Sequence, residues 1–145
     1  MKKRKFVGFM TILWGVPGLA GMLLFMNGFD ELSFLVFLAL LAVIFRGLCG
    51  VVGGVLLWRG SKLGYQLSLV MWMYMLVVGL IAFYQLFTGP YFTSFEFTPD
   101  NQLFWSAFGK NGGKLIWGVP FIYILIKSLF ESRKAESENA LSQKI

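Results

Sequence analysis

Residues 34–58 read FLVFLALLAVIFRGLCGVVGGVLLW, an apolar run with a single cation, Arg46, at its midpoint. A helix of roughly 20 residues crosses the hydrocarbon core of a bilayer, and this run is longer than that. Lipid offers the backbone no hydrogen bonds, so a segment that crosses it satisfies its own polar groups by forming a helix. The run therefore predicts a transmembrane helix and an all-α, polytopic membrane protein.

Three further apolar stretches accompany this run, and together they predict a bundle of four transmembrane helices. The predicted spans cover about 6–26, 32–58, 63–87 and 115–130. The second span exceeds the bilayer thickness, which predicts a tilt or a bend. The fourth is short and depends on Lys127 extending its ammonium group to the interface. We expect residues 1–134 to form the membrane domain and residues 135–145 a flexible cytoplasmic tail.

The connection between the third and fourth spans, residues 88–113, is long enough to hold structure of its own. Thr98, Pro99 and Asp100 are typical of a helix start with proline at the first position. Apolar residues follow, and Gly109 is a suitable helix end. We predict a short interfacial helix that lies against the outer leaflet. The predicted interfacial anchors are Trp58, Phe104, Trp105 and Phe108.

Charge is scarce and segregated along the chain. Charged residues make up 14% of it, whereas a soluble domain has about a quarter. With four spans, every basic cluster falls on one side of the membrane, and the other side carries Lys110 and Lys114 among several acids. Positive loops stay cytoplasmic, so we expect both termini in the cytoplasm of a bacterial inner membrane protein. The net charge of +6 then reflects orientation and contact with an anionic lipid bilayer, and we expect no binding to nucleic acid.

The amino-terminal segment has the pattern of a secretory signal, with basic residues before an apolar core. Gly18, Leu19 and Ala20 resemble a cleavage site. Apolar residues continue past this point to Met26, which favours an uncleaved membrane anchor.

Arg46 shares its face of an ideal helix with small residues, while bulky residues occupy the opposite face. The small residues are Ala39, Ala42, Cys49, Gly50 and Gly53. Membrane helices approach closely along such faces, so we expect Arg46 to point into a helix interface or a cavity. Tyr74 reaches the depth of Arg46 when equal distances are counted from the turn at residues 60 and 61. The sequence therefore predicts an intramembrane polar site of Arg46 and Tyr74.

Other groups are also candidates to receive the guanidinium of Arg46. Thr11, Ser68 and carbonyl groups freed by Pro17 carry suitable oxygen atoms, and an anion or a lipid phosphate would serve as well. The sequence leaves a structural and a functional role open for Arg46. In the structural role Arg46 braces the bundle or extends outward to the interface, and in the functional role it acts in the membrane interior.

Glycine recurs at regular intervals in the first two spans. The predicted helix-packing faces consist of Gly15, Gly18, Gly47, Gly50, Gly53 and Gly54. Small residues at this spacing let two membrane helices approach closely. The same pattern fits packing within one chain and self-association between chains.

The residue types that carry most catalysis are missing or scattered. The chain has no histidine and one cysteine, Cys49. Glu96 and Asp100 are neighbouring acids in the long loop, but Asp100 suits the first turn of the predicted helix. No nucleophile–base pair, phosphate-binding loop or metal-ligand spacing occurs. We therefore predict no catalytic, cofactor-binding or metal site, and no enzymatic activity.

These observations favour a small non-catalytic integral membrane protein. We expect it to act as an accessory or scaffold subunit that associates with itself or with a larger membrane complex. The alternative is a homo-oligomeric pore or channel in which Arg46 lines a path that attracts anions. A membrane-perturbing or immunity-type effector is a third class that fits the size alone.

Overall fold

The structure is a computed structural model, and it describes residues 2–20, 34–89, 92, 94–98 and 101–142. The described residues form helices and contain no strand. The helices are α1 (Lys2–Leu19), α2 (Phe34–Leu41), α3 (Cys49–Arg59), α4 (Lys62–Thr88) and α5 (Gln102–Ser142), and a π-helical segment (Ala42–Leu48) joins α2 to α3.

Three helical stretches in the described residues are long and apolar enough to cross a membrane. They are Ala42–Arg59, Lys62–Thr88 and Gln102–Lys134. The prediction of an all-α membrane protein is confirmed at this level. The number of four spans stays a prediction, because residues 21–33, which include the end of the predicted first span and the start of the second, lie outside the described residues.

The turns around Arg46 are wider than those of an α-helix. The backbone N–H of Cys49 donates to the carbonyl oxygen of Ile44, five residues earlier. Such π-helical turns are rare and frequently occur at functional sites. The segment Ala42–Leu48 lies in the predicted second span, and its neighbour α3 continues to Arg59.

The predicted short helix with an end at Gly109 is wrong, because α5 runs without a break from Gln102 to Ser142. Each glycine inside a helix costs about 1 kcal/mol relative to alanine. Packing against α4 offsets this cost, since the ring of Phe108 lies 5.0 Å from that of Phe83. Residues 102–113 of the predicted loop and the predicted fourth span therefore share one helix. The first part of the predicted tail also continues as helix to Ser142, and the proposed helix-start residues Pro99 and Asp100 lie outside the described residues.

Helix α1 runs antiparallel to α3 with the two backbones in contact. A Cβ built on Gly15 would lie 3.0 Å from the Cα of Gly50, and one built on Gly54 would lie 2.7 Å from the carbonyl oxygen of Gly8. Since these positions carry no side chain, the two helices approach more closely than other residues would allow.

A tight turn reverses the chain between α3 and α4. Gly60 ends α3 in the left-handed conformation, with φ of 85°, which glycine adopts without a steric penalty. The N–H of Gly60 donates to the carbonyl of Leu57 at 3.0 Å, and the N–H of Ser61 to that of Leu56 at 2.9 Å. These bonds satisfy carbonyl groups that the end of α3 would otherwise leave unpaired.

Trp72 of α4 lies at the centre of the bundle and is fully buried. Its indole N–H donates to the hydroxyl oxygen of Thr11 in α1 at 3.0 Å. Its ring also packs edge-on against Phe121 of α5, with centroids 4.8 Å apart. Trp72 therefore contacts helices on both sides of α4, and the surrounding core consists of Val7, Leu57, Met71, Met75, Phe121 and Leu125.

The two ends of the bundle differ in composition. We call one the basic end, because Arg4, Arg59 and Lys127 lie there near the α3–α4 turn. We call the other the aromatic end, where Phe87 of α4 meets Phe104 of α5 with ring centroids 5.8 Å apart. Helices α4 and α5 are antiparallel between these ends.

A candidate site around Arg46 and Lys114

Arg46 leaves the π-helical segment toward α1. Its Nε atom donates to the main-chain carbonyl oxygen of Trp14 at 3.0 Å. The side chain passes over Gly18, where a built Cβ would lie only 2.9 Å from the Cγ of Arg46. Glycine at position 18 therefore leaves the space through which the guanidinium reaches the backbone of α1.

The accepting carbonyl belongs to the turn before Pro17. Proline has no backbone N–H, so the carbonyl four residues earlier, that of Leu13, has no helical donor. The sequence suggested such a freed carbonyl as one partner for Arg46. The observed acceptor is the adjacent carbonyl, that of Trp14.

Tyr74 lies close to Arg46 but is not its hydrogen-bond partner among the described contacts. The ring of Tyr74 stacks on that of Phe45, with centroids 5.7 Å apart and planes 21° apart. Arg46 and Tyr74 are near enough to interact electrostatically. Tyr74 is thus an electrostatic neighbour of Arg46, and the acceptor of the guanidinium is a backbone carbonyl.

Lys114 is a second cation at this site, although the sequence predicts that it lies on the outer side of the membrane. It lies in α5 against α4, where a Cβ built on Gly79 would be 3.3 Å from the Cβ of Lys114. Its Nζ atom donates to the side-chain oxygen of Asn111 at 2.7 Å. Lys114 is partly buried and close enough to Arg46 to interact with it electrostatically.

Both cations lie at similar depth in the bundle. Arg46 precedes Arg59 by as many residues as Lys114 precedes Lys127, which corresponds to roughly 20 Å of helix in each case. Lys114 is also roughly 13 Å of helix beyond Trp105, at the aromatic end. The two charges therefore lie far from both ends of the helices.

Trp14 connects the two cations. Its carbonyl accepts the hydrogen bond from Arg46, and its indole edge lies 3.6 Å from a Cβ built on Gly113, the residue before Lys114. The indole ring also packs against Trp72, with centroids 6.2 Å apart. One residue of α1 thus binds Arg46 through its main chain and lies, through its side chain, beside the helix that carries Lys114.

The described helices hold no carboxylate at the depth of these cations. Asp and Glu are absent from α1, from Ala42–Arg59 and from α4, and in α5 the first acid is Glu131 at the basic end. Asp30 and Glu31 lie outside the described residues. An ionised side chain in the membrane interior usually has a partner or lines a wet cavity. The described spans supply a carbonyl oxygen to Arg46 and an amide oxygen to Lys114, but no carboxylate to either cation.

The predicted glycine faces pack within the chain. Gly15, Gly18, Gly47, Gly50 and Gly54 form the contact between α1 and the segment from Ala42 to Arg59, and we call them, with Gly8, the glycine seam. Gly53 faces α4, where its built Cβ would lie 2.8 Å from the backbone nitrogen of Ser68.

The four predicted anchors occupy different environments. Trp58 is 44% exposed at the basic end. Trp105 is partly buried, and its indole N–H donates to the carbonyl of Glu96 at 3.2 Å. Phe108 is also partly buried, whereas Phe104 is only 1% exposed. Phe104 is therefore packed inside the aromatic end and does not face its surroundings.

The described residues contain no group of three or more His, Cys, Asp or Glu side chains that could hold a metal ion. Comparison with protein-family models, with curated proteins and with solved structures finds no match to this chain. The chemistry of the site itself is therefore the basis for inferring function.

Proposed function

We propose that this protein is a small non-catalytic integral membrane protein that acts as an accessory or scaffold subunit of a larger membrane complex. The observation that carries the proposal is the pair of cations, Arg46 and Lys114, at one depth without a carboxylate in the described spans. A partner helix with an acid at this depth would supply the missing charge. Charged groups inside membranes characteristically pair in this way.

Neither cation has an easy route to water by extending along its own helix. The distances of roughly 20 Å to the basic end and roughly 13 Å to the level of Trp105 are long for a side chain. Both residues are only partly buried, so a neighbouring molecule can reach them. A charged partner therefore stabilises the site more directly than snorkelling does.

The packing of the glycine seam favours association with a partner through the charged residues and not through the glycine residues. Its backbone surfaces already pack against each other, as Gly15 does against Gly50. Self-association through the same face would require these helices to separate. We therefore propose that association uses the surface beside Arg46 and Lys114.

The test is recovery of partners from native membranes with tagged variants of the chain. Arg46→Gln and Lys114→Gln should each lower partner recovery by about tenfold or more, since breaking one half of a buried charge pair costs about 2–5 kcal/mol. Lys110→Gln is the matched control, because Lys110 is exposed one turn earlier on α5. Mass spectrometry after solubilisation in mild detergent measures the recovery.

A second set of variants tests whether an acid of the same chain neutralises Arg46 and Lys114. Asp30→Asn and Glu31→Gln should leave stability and partner recovery at the level of the unmodified protein. If either substitution unfolds the protein as readily as Arg46→Gln, the cations are paired within the chain. The proposal of an accessory subunit would then lose its supporting observation.

A homo-oligomeric anion pore is the second candidate, and the same two cations favour it. Rings of basic side chains in several copies would attract anions to a path lined by Arg46. Liposome flux measurements separate the two functions, since a pore predicts anion flux whose selectivity changes in Arg46→Ala. A monomer without flux would exclude the pore.

We also propose that the basic end faces the cytoplasm of a bacterial inner membrane, with both termini on that side of four spans. Arg4, Arg59 and Lys127 lie at this end, and positive segments are retained in the cytoplasm. Accessibility of cysteines introduced at the two ends to a membrane-impermeant reagent tests the orientation.

A further inference from the structure

A cavity of about 290 Å³ opens at the basic end between α1, α3, α4 and α5. Its charged lining consists of Lys3, Arg4 and Lys127 with one carboxylate, Glu131. The lining residues with hydroxyl groups are Tyr65, Tyr123 and Ser128. Three cations and one acid leave the cavity with an excess of positive charge. This volume is close to that of the smallest typical ligand sites, about 300 Å³.

Arg4 has a buried hydrogen-bond donor without a partner. Its Nε atom is inaccessible and makes no hydrogen bond in the described residues. The guanidinium lies against the α3–α4 turn, with Nη1 2.7 Å from a Cβ built on Gly60. An unpaired donor in a buried position costs free energy, and an acceptor that reached Nε from the cavity would remove that cost.

The deeper wall of the cavity is apolar. Val7, Leu57 and Leu125 line it and are each at most 1% exposed. The cavity therefore combines a basic lining with an apolar wall. This combination fits an amphiphile whose anionic group meets the cations while its hydrocarbon part meets the helices.

The position along the helices agrees with such a ligand. Leu57 and Lys127 are near the ends of the helical stretches Ala42–Arg59 and Gln102–Lys134, where a bilayer changes from hydrocarbon to headgroups. Anionic phospholipids present their phosphate groups at this level and attract basic side chains. Arginine forms charge-assisted hydrogen bonds to phosphate oxygens, and a guanidinium can form two in parallel.

We propose that this cavity binds a phosphate group, and that the phosphate is carried by an anionic phospholipid. Arg4 and Lys127 would contact the phosphate oxygens, and the hydroxyl group of Tyr65 would donate to the headgroup. The site is separate from the pair of Arg46 and Lys114, and it does not depend on the proposed partner complex.

The test measures binding of short-chain phosphatidylglycerol to the full chain in neutral detergent by native mass spectrometry. Phosphatidylglycerol should bind at one saturable site, and phosphatidylcholine should bind much more weakly. Arg4→Gln should weaken binding by about tenfold, since a hydrogen bond to a charged group contributes about that factor. Lys127→Gln should weaken it by about fivefold, as expected for one basic group near an anionic lipid.

Arg59→Gln is the matched control, because Arg59 is exposed at the same end but lies outside the cavity lining. It should change the affinity for phosphatidylglycerol by less than about twofold, as expected for a surface charge. Equal losses in Arg4→Gln and Arg59→Gln would overturn the proposal in favour of diffuse attraction. Inorganic phosphate that displaces the lipid at equal concentration would overturn the phospholipid as the source. Far-UV circular dichroism of each variant establishes that it is folded.

Discussion

Two contacts within the bundle show opposite ways of joining membrane helices. The glycine seam brings the backbones of α1 and α3 together, with no side chain between Gly15 and Gly50. The aromatic seam, formed by Phe83, Phe87, Phe104 and Phe108, fills the space between α4 and α5 with rings. The glycine seam depends on the absence of side chains, and the aromatic seam depends on large ones. A larger side chain should therefore destabilise the first contact, and a smaller side chain should destabilise the second.

Both ways of joining the helices suit a lipid environment. Lipid tails are as apolar as the side chains they surround, so helix association in membranes depends on close packing and on hydrogen bonds. The glycine seam achieves close packing through backbone approach, and the aromatic seam achieves it through ring contacts. Both solutions exclude lipid, but only the ring contacts tolerate the loss of atoms.

The largest effect is expected for Gly50→Ala in the glycine seam. The added Cβ would lie 2.7 Å from the Cα of Gly15, a backbone atom that cannot move without displacing α1. Overpacking of this kind should lower the free energy of unfolding by about 3 kcal/mol. Titration with sodium dodecyl sulfate, followed by tryptophan fluorescence, measures the change.

Gly109→Ala is the control for that substitution. A Cβ built on Gly109 meets no atom within 4 Å, so the helix preference of alanine should raise the free energy of unfolding by ~0.8 kcal/mol. Equal destabilisation by Gly50→Ala and Gly109→Ala would show that the glycine seam does not depend on backbone approach.

An intermediate effect is expected for Thr11→Val, where α1 joins α4. The hydroxyl of Thr11 accepts a hydrogen bond from the buried indole N–H of Trp72. Valine has a similar shape but no acceptor, and the orphaned N–H should lower the free energy of unfolding by about 2 kcal/mol. The same detergent titration measures it.

Thr88→Val provides a matched comparison. The Thr88 hydroxyl donates to the carbonyl of Tyr84 at 2.9 Å but is exposed. Thr88→Val should therefore change the free energy of unfolding by less than about 0.5 kcal/mol, as is usual for substitutions at exposed positions. An equal loss in Thr11→Val and Thr88→Val would show that Trp72 does not couple the two sides of α4.

The smallest effect is expected for Phe104→Leu in the aromatic seam. Phe104 is buried and packs against Phe87, but leucine retains much of its volume, so the loss should be about 1 kcal/mol. Phe97→Leu is the control, since Phe97 is 84% exposed. A loss for Phe104→Leu as large as that for Gly50→Ala would remove the contrast between the seams.

The pattern of hydrophobic residues was sufficient to predict the class of the fold and the small-residue surroundings of Arg46. Arg46 does reach α1 beside Gly18, as expected for a residue on a small face. Tyr74 lies close enough to Arg46 to interact with it electrostatically, because α3 and α4 run antiparallel from the turn at Gly60.

The position of Lys114 beside Arg46 could not be predicted from this pattern. A helix end and a loop are predicted around Gly109, Gly112 and Gly113, because each glycine weakens a helix locally. Contacts with α4 keep the helix continuous, and sequence distance alone does not reveal them. The acceptor for Arg46 could not be predicted from the sequence either, since every residue carries a backbone carbonyl. Only the three-dimensional structure identifies that of Trp14 as the acceptor.

The π-helical turns of Ala42–Leu48 have a consequence for changes in chain length. These turns contain more residues than α-helical ones. Deletion of one residue inside an ordinary α-helix rotates everything beyond it by about 100° and misaligns its faces. A deletion within Ala42–Leu48 can instead convert the wide turns to α-helical turns and keep α2 and α3 in phase. The segment that contains Arg46 can thus lose a residue while the helices on both sides keep their orientation.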